Sequence, residues 1–255
     1  MPPAARRRQV RATPPARIGC AGWAIPAAHR DRFGPGSSVL ARYATRLDCV
    51  EINSSFYRPH RRDTYARWAD AVPAHFRFSV KMPRAISHDA RLRQCGGLLD
   101  GFLSECSGLG DKLGCLLLQL PPSLALDGRV AAPFLAMLRR RWDGPVACEP
   151  RHASWFTQAA DALFQRHRIA RVAADPAPHP AAAVPGGDPA LAYWRWHGSP
   201  RMYYSAYDDA FLRRHAQAVA ASAAAQTWVV FDNTTHGHAI DDALRFAAML
   251  ARVGR

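Results

Sequence analysis

The sequence predicts a single-domain α/β protein, a (β/α)8 TIM barrel, and three observations carry that prediction. Eight short β-rich runs recur along the chain, and helix-period segments lie between them. Strands that alternate with helices imply a parallel sheet, and eight such units in 255 residues imply a sheet closed into a barrel. No Gly-rich phosphate fingerprint follows the first run, which argues against the open doubly wound alternative.

The strand candidates are RIGCAGW (17–23), CVEINSSFY (49–57), FRFSVKMP (76–83), LGCLLLQLP (113–121), PVACEPR (145–151), ARVAADP (170–176), AYWRWHG (192–198) and TWVVFDNT (227–234). Helical spacing of apolar residues is clearest in SSVLARYATRL (37–47), where Ser37 offers an N-cap, and in GRVAAPFLAMLRRRW (128–142). It recurs in SWFTQAADALFQRHR (154–168), DDAFLRRHAQAVAASAA (208–224) and GHAIDDALRFAAMLARV (237–253). Residues 176–191, PAPHPAAAVPGGDPAL, carry too much Pro and Gly for a full sixth helix, so a loop or single turn is expected there. The domain is expected over 17–252. Residues 1–16, basic and free of acids with prolines at both ends, read as a disordered tail.

Strand parity then assigns faces. Successive residues of a strand point to opposite sides, and in a barrel one side is the lumen. In the second run Val50 and Ile52 suit the helix side, which sends Glu51, Asn53, Ser55 and Tyr57 inward. The same rule sends Ser79 and Lys81 inward, with Gln119, with Glu149 and Arg151, with Asp175, and with Arg195 and His197. In the eighth run Asp232 and Asn233 face opposite ways, and parity alone does not choose between them. These polar groups fall late in their strands, the end at which barrel active sites lie. Unpaired charges inside a protein cost several kcal/mol each, so the set must be paired, wet or ligand-binding.

Net charge is +14, and with only two lysines in the chain, Lys81 and Lys112, arginine supplies nearly all of the positive charge. Compositional bias explains this as readily as an affinity for phosphates or nucleic acid. No run approaches the ~18 apolar residues that cross a bilayer, so no membrane partner is expected. The basic start has no apolar leader segment, and the six cysteines show no C-x-x-C pair. Both features predict a cytoplasmic protein with reduced, packed thiols. Nothing in the sequence sets an oligomeric state.

The motifs EINSSFY (51–57), KMPRAISH (81–88), LLLQLPPS (116–123), CEPRHASW (148–155), WRWHG (194–198) and FDNTTHGHAIDDAL (231–244), in this order and spacing, resemble the YecE-like family, also called domain of unknown function 72. The resemblance spans about residues 17–252 and implies a TIM barrel, but it supplies no reaction. Its pattern carries over at Glu51, Asn53, Phe56, Tyr57, Lys81, Pro83, His88, Gln119, Pro121 and Pro122. It carries over equally at Glu149, Arg151, Trp155, His197, Gly198 and Asn233. Pro150 stands where an aromatic or aliphatic residue is commoner in the family, and Asp232 and Asp242 stand where asparagine is often found.

Three chemistries suit these residues. The first is a hydrolase-like enzyme acting on a phosphate-bearing or otherwise anionic substrate. Glu51, Glu149 and His197 exchange protons, while Asn53, Tyr57, Lys81, His88, Gln119, Arg151, Asp175, Arg195 and Asn233 hold the substrate. The second is a divalent metal held by Glu51, Glu149, Asp175 and His197. The interleaved cations argue against it, so no cofactor is expected. The third is nucleic-acid or phospho-ligand binding without catalysis, through RPHRR (58–62), RRR (139–141) and the tyrosines at 203, 204 and 207.

Overall fold

The protein is described by a computed structural model covering residues 16–253. The expected basic tail, Ala16 apart, lies outside the described residues. The strands are β1 Arg17–Ala21, β2 Cys49–Ile52, β3 Arg77–Lys81, β4 Leu113–Gln119, β5 Val146–Glu149, β6 Ala170–Arg171, β7 Ala173–Asp175, β8 Gly186–Gly187, β9 Leu191–Trp196 and β10 Gln226–Phe231. The helices are α1 Val39–Tyr43, α2 Arg62–Asp70, α3 Gly96–Cys106, α4 Gly128–Arg141, α5 Gln158–Arg166, α6 Asp209–Ala220 and α7 His238–Val253.

Hydrogen-bonded neighbours run β7-β9-β10-β1-β2-β3-β4-β5-β6-β8. Every pairing is parallel except the two-residue contact of β6 with β8. β6 and β7 are one barrel strand interrupted at Val172. Its first half pairs with β5 and its second with β9, which closes the ring. The barrel thus has the eight strands that the sequence predicts. The sixth helix is replaced by a short 3-10 turn at Pro180–Ala183, as the Pro and Gly content of that segment requires.

Apolar packing divides into two cores. Between strands and helices lie Val50, Ile52, Phe76, Phe78, Val80, Leu116, Leu118, Val146, Cys148, Trp194, Trp196, Val229 and Phe231. The lumen holds a separate cluster that includes Cys49, Cys115, Leu117, Ala147, Val172, Tyr193, Trp228 and Val230. Trp228 fills the N-terminal end of the lumen because Gly114 faces it. A Cβ at Gly114 would come within 2.7 Å of the indole ring. All six cysteines are free and buried, and burial pushes the Cys20 and Cys115 thiols up to about 12.

Some boundaries differ from the sequence expectation. β2 ends at Ile52, and residues 54–56 form a 3-10 turn, so strand parity stops applying at Asn53. The N-cap of α1 is Ser38, whose side chain accepts from the Ala41 N–H; Ser37 does not cap it. β6 and β7 have the opposite parity to that expected. Val172 packs in the lumen, whereas Arg171 faces outward and pairs with Asp161 at 3.0 Å. The small residues on both sides of this strand give no sequence contrast from which to choose.

Candidate active site

At the C-terminal end of the lumen, one guanidinium collects three carboxylates. Arg195, fully buried on β9, donates from Nη2 to Glu51 Oε1 at 2.7 Å and from Nε to both Glu51 oxygens at 3.0–3.1 Å. Its Nη1 reaches Glu149 Oε2 at 3.1 Å, and its Nη2 lies 3.0 Å from Asp232 Oδ2. Strand register builds this layer. Gln119 on β4 stands beside Glu149 on β5, and Glu51 on β2 stands beside Ser79 on β3. Tyr193, one lumen step below Arg195, donates its phenol O–H to Glu51 Oε2 and accepts from Ser79 Oγ, each at 3.0 Å. Glu51 is therefore saturated and has no exposed surface.

His197 lies above this layer, between two acids. Its Nε2 is 3.1 Å from Glu149 Oε1 and its Nδ1 is 2.9 Å from Asp232 Oδ2. Burial opposes the imidazolium, but the charge of Glu149 and the hydrogen bond to Asp232 outweigh it, so the His197 pKa is raised. Glu149 Oε1 also takes Gln119 Nε2 at 3.2 Å and Arg151 Nε at 3.1 Å. Burial alone would raise Glu149; His197, Arg195 and Arg151 instead hold it well below the usual carboxylate range. Arg195 and His197 lower Asp232 against its burial in the same way.

Lys81 stands apart from this network. Only 4% of it is exposed; its Nζ makes no hydrogen bond or ion pair with any described residue, and it is not one of their fully buried unpartnered polar atoms, so the ammonium tip reaches solvent at the mouth. Its Nζ rests 4.2 Å above the centroid of the Phe56 ring. Burial, helped by Arg195, lowers its pKa to about 8 despite Glu51, Glu149 and Asp232. The main chain here is fixed: Ser55 Oγ donates to Lys81 O at 2.6 Å and to Ile52 O at 3.0 Å. His88 packs edge-on against the other flank of Phe56, 5.0 Å between centroids, and accompanies Lys81 at the mouth. Burial, Lys81 and Arg84 lower the His88 pKa, so its imidazole is neutral at pH 7.

Of the twelve residues that the sequence singles out, nine are at this mouth: Glu51, Asn53, Lys81, His88, Gln119, Glu149, Arg151, Arg195 and His197. Asn53 lies at its margin, where its buried Oδ1 has no hydrogen-bond partner. It lines a cavity of about 900 Å3 with Trp23, Gly22 and Thr234. Three residues lie elsewhere. Tyr57 is 71% exposed, because the 3-10 turn carries it out of the strand. Asp175 follows the outward parity of β7 and accepts from the Tyr207 hydroxyl at 2.9 Å. Asn233 faces the helix layer, donating to Ser205 O at 2.9 Å and to Asp242 Oδ2 at 2.7 Å. Asp232 takes the place expected for Asp175, which settles the choice that parity left open in the eighth strand. Tyr203 also belongs to the site. Its hydroxyl meets Arg151 Nη2 at 3.3 Å and its ring stands edge-on to His197, on a left-handed backbone with φ 70°. The sequence marks Tyr203 only as one of three tyrosines suited to stacking and gives no signal for a place beside His197 and Arg151.

Among the described residues no group of three or more His, Cys, Asp or Glu is arranged to hold a metal ion, and both ring nitrogens of His197 are already committed to carboxylates. No helix of these residues is long and apolar enough to cross a membrane. Part of the basic surface is structural. Arg139 donates to the carbonyls of His167 and Gly144, both at 2.6 Å, and Arg141 pairs with Asp100 at 2.6 Å.

Residues 17–255 match the family described as protein of unknown function DUF72. Over 86 residues the chain is 38% identical to the UPF0759 protein YecE of Escherichia coli K12, a match that covers 34% of this chain and 32% of that protein. The chain thus matches about a third of the length of this curated relative. Two solved DUF72 structures share the fold. One, from Enterococcus faecalis V583, has a TM-score of 0.78 at 23% identity, covering 92% of this chain and 95% of the other. The second, from Thermotoga maritima MSB8, has a TM-score of 0.77 at 22% identity, covering 92% and 99%.

Proposed function

The chain belongs to the DUF72 family, and we propose that it is an enzyme acting by acid–base chemistry on a phosphate-bearing or otherwise anionic substrate at the barrel mouth. One observation carries this reading. Every carboxylate of the mouth cluster is already paired with Arg195, whereas the Lys81 ammonium, at the solvent-reaching end of a buried stem, has only the Phe56 ring and no counter-charge within ion-pair distance among the described residues. A buried cation without a counter-charge is costly, and an anionic ligand is the group that completes it. Arg151, 20% exposed, has Nε and Nη2 engaged by Glu149 and Tyr203, which leaves its Nη1 donors for a carboxylate or phosphate.

The sequence suggests three proton carriers, and the geometry supports a division of roles among them and Lys81. His197, an imidazolium whose two N–H groups are held by Glu149 and Asp232, is the acid once a bound substrate displaces one of those carboxylates. Glu149 and Glu51 fix its charge and that of Arg195; both are too fully bonded to take a substrate proton. Lys81, with a pKa of about 8, is the group whose neutral form is accessible near neutral pH and is the base. Hydrolase-like chemistry remains within reach of this pair, with Lys81 rather than a carboxylate drawing the proton from water.

Wild type, Lys81→Met and Glu149→Gln, assayed for thermal shift and turnover on phosphorylated and carboxylated metabolites and on oligonucleotides, test the proposal. The expected result is stabilisation of wild type by a small anion, loss of that stabilisation in Lys81→Met, and loss of turnover in both variants. Oligonucleotide binding that is unchanged in both variants and falls steeply with salt would instead support a nucleic-acid binder.

A further inference from the structure

We propose that Lys81 is a covalent nucleophile that forms a Schiff base with an anionic carbonyl substrate, either a 2-oxo acid or a phosphorylated ketone or aldehyde. This rests on the anionic-substrate reading above and narrows it to a substrate class and a reaction intermediate. Four features of the site favour an imine at this position.

The first is the absence of acceptors. An ammonium carries three N–H donors, and around Lys81 Nζ the described residues supply a cation–π face from Phe56 at 4.2 Å but no hydrogen-bond acceptor. Burial and the charge of Arg195 outweigh that attraction and favour the neutral amine, and a desolvated lysine near another cation is how an amine nucleophile is activated. The second is its anchoring. Ser55 bonds the Lys81 carbonyl, and the following Met82 N–H bonds Leu117 O at 2.8 Å, so the amine is presented from a rigid strand end. The third is the surrounding charge. Glu51, Glu149 and Asp232 favour a positive charge at Lys81, Arg195 opposes it, and all four are fixed in mutual ion pairs.

The fourth is charge balance over the reaction. The Lys81 amine adds to the carbonyl carbon and forms a C–N bond while the C=O π electrons move to oxygen. The carbinolamine oxygen then leaves as water. Counted from the ammonium, two of its three N–H hydrogens depart with that oxygen, and the product is an iminium. Reactants and products both carry one positive charge at the same nitrogen, so the buried ion cluster needs no rearrangement. The substrate's carboxylate or phosphate lies against Arg151, which holds its carbonyl toward Lys81.

The chain offers a clean test because Lys112 is its only other lysine, and Lys112 Nζ donates to Ala69 O and Val72 O, both at 2.6 Å. With a pKa of about 8, roughly a tenth of Lys81 is neutral at pH 7, against less than about a thousandth of an ordinary lysine. Purified full-length protein is incubated with pyruvate or with dihydroxyacetone phosphate, reduced with sodium borohydride, and mapped by peptide mass spectrometry. The expected result with at least one of the two is a single reduced adduct on Lys81. It forms at least about tenfold faster than on Lys112, in line with the larger neutral fraction, and lactate or inorganic phosphate suppresses it. Lys81→Arg keeps the charge and should keep phosphate binding while losing the adduct. Phosphate binding with no adduct from either carbonyl overturns the Schiff base and leaves the anionic-substrate reading intact. Absence of both binding and adduct overturns the two together. Equal labelling of Lys81, Lys112 and the terminus marks ordinary amine chemistry and also overturns the proposal.

Discussion

Two cations lie inside this barrel, and they are treated in opposite ways. Arg195 is surrounded by Glu51, Glu149 and Asp232, each within 3.1 Å. Lys81 is almost as deeply buried, 4% exposed against none, yet meets no carboxylate. The difference separates structure from chemistry. A planar fork with five donors can satisfy several acids at once and stays charged at any working pH. An amine left bare gives up stability and gains a neutral, reactive form near pH 8.

Removal of Arg195 breaks the comparison on its structural side and has the largest expected effect. Arg195→Leu leaves three buried carboxylates without their shared partner, and losing one member of a buried pair costs about 3–5 kcal/mol. The acid dependence should also become shallower. In wild type the depressed values of Glu149 and Asp232 contribute stability above the ordinary carboxylate range, and acid removes it. In the variant Glu149 keeps His197 and Arg151 and Asp232 keeps His197, so both values rise only part of the way toward the ordinary range, and acidification should cost the variant less stability than it costs wild type. Denaturant titrations at several pH values measure both. A variant within about 1 kcal/mol of wild type, a typical surface-substitution effect, would show that the cluster is not what holds the mouth together.

Most of this contrast was legible in the sequence, though not all of it. Alternation in β2, β3, β5 and β9 is strong because bulky apolar residues mark the outer face, and there parity correctly sent Glu51, Lys81, Glu149 and Arg195 inward. It failed where that contrast vanishes or the strand ends. Ala173 and Ala174 in β7 are alike on both faces, so Asp175 was placed inside and is found on Tyr207. Tyr57 lies beyond a turn that starts at Ser54, and a turn erases the period of two. Asn233 is separated from the lumen by a single position, and only the strand register tells it from Asp232. No sequence pattern could show that Lys81 is the unpaired member of the set, because pairing is decided by distances between strands far apart in the chain.

Lys81→Met probes the other side of the comparison and should stabilise the protein. The folded pKa of Lys81, about 8, lies below its ordinary value of 10.5. Between these values the unfolded chain binds more protons, so wild-type stability rises with pH across that window, and the full penalty is present below it. The shift corresponds to about 3 kcal/mol at pH 7. That is a rise in melting temperature of about 6 °C or more for a chain of this size. Because the variant lacks the group, it should also lose the upward slope between pH 8 and 10. A variant less stable than wild type would mean that Lys81 has a favourable partner and is not bare.

Asp232→Asn makes the smallest change and tests whether the two cations are linked. Asp232 pairs with Arg195, supports the His197 imidazolium, and raises Lys81. Asparagine can still accept one hydrogen bond from Arg195, which keeps Glu51 and Glu149, so the loss of stability should be about 1 kcal/mol. The titrations should move further than the stability does. His197 loses one of two anionic partners, and its raised pKa should fall toward the ordinary value, read from its ring protons by NMR. Because a raised histidine stabilises the fold below its unfolded pKa and loses that contribution as pH rises through the folded one, the variant should lose it at lower pH than wild type. Lys81 should move down as well, which enlarges its neutral fraction and speeds labelling by amine reagents at pH 7. If the His197 value falls while Lys81 labelling stays constant, the carboxylate cluster acts on Arg195 and His197 alone. The reactivity of Lys81 would then come from burial against Phe56 and not from the charges around it.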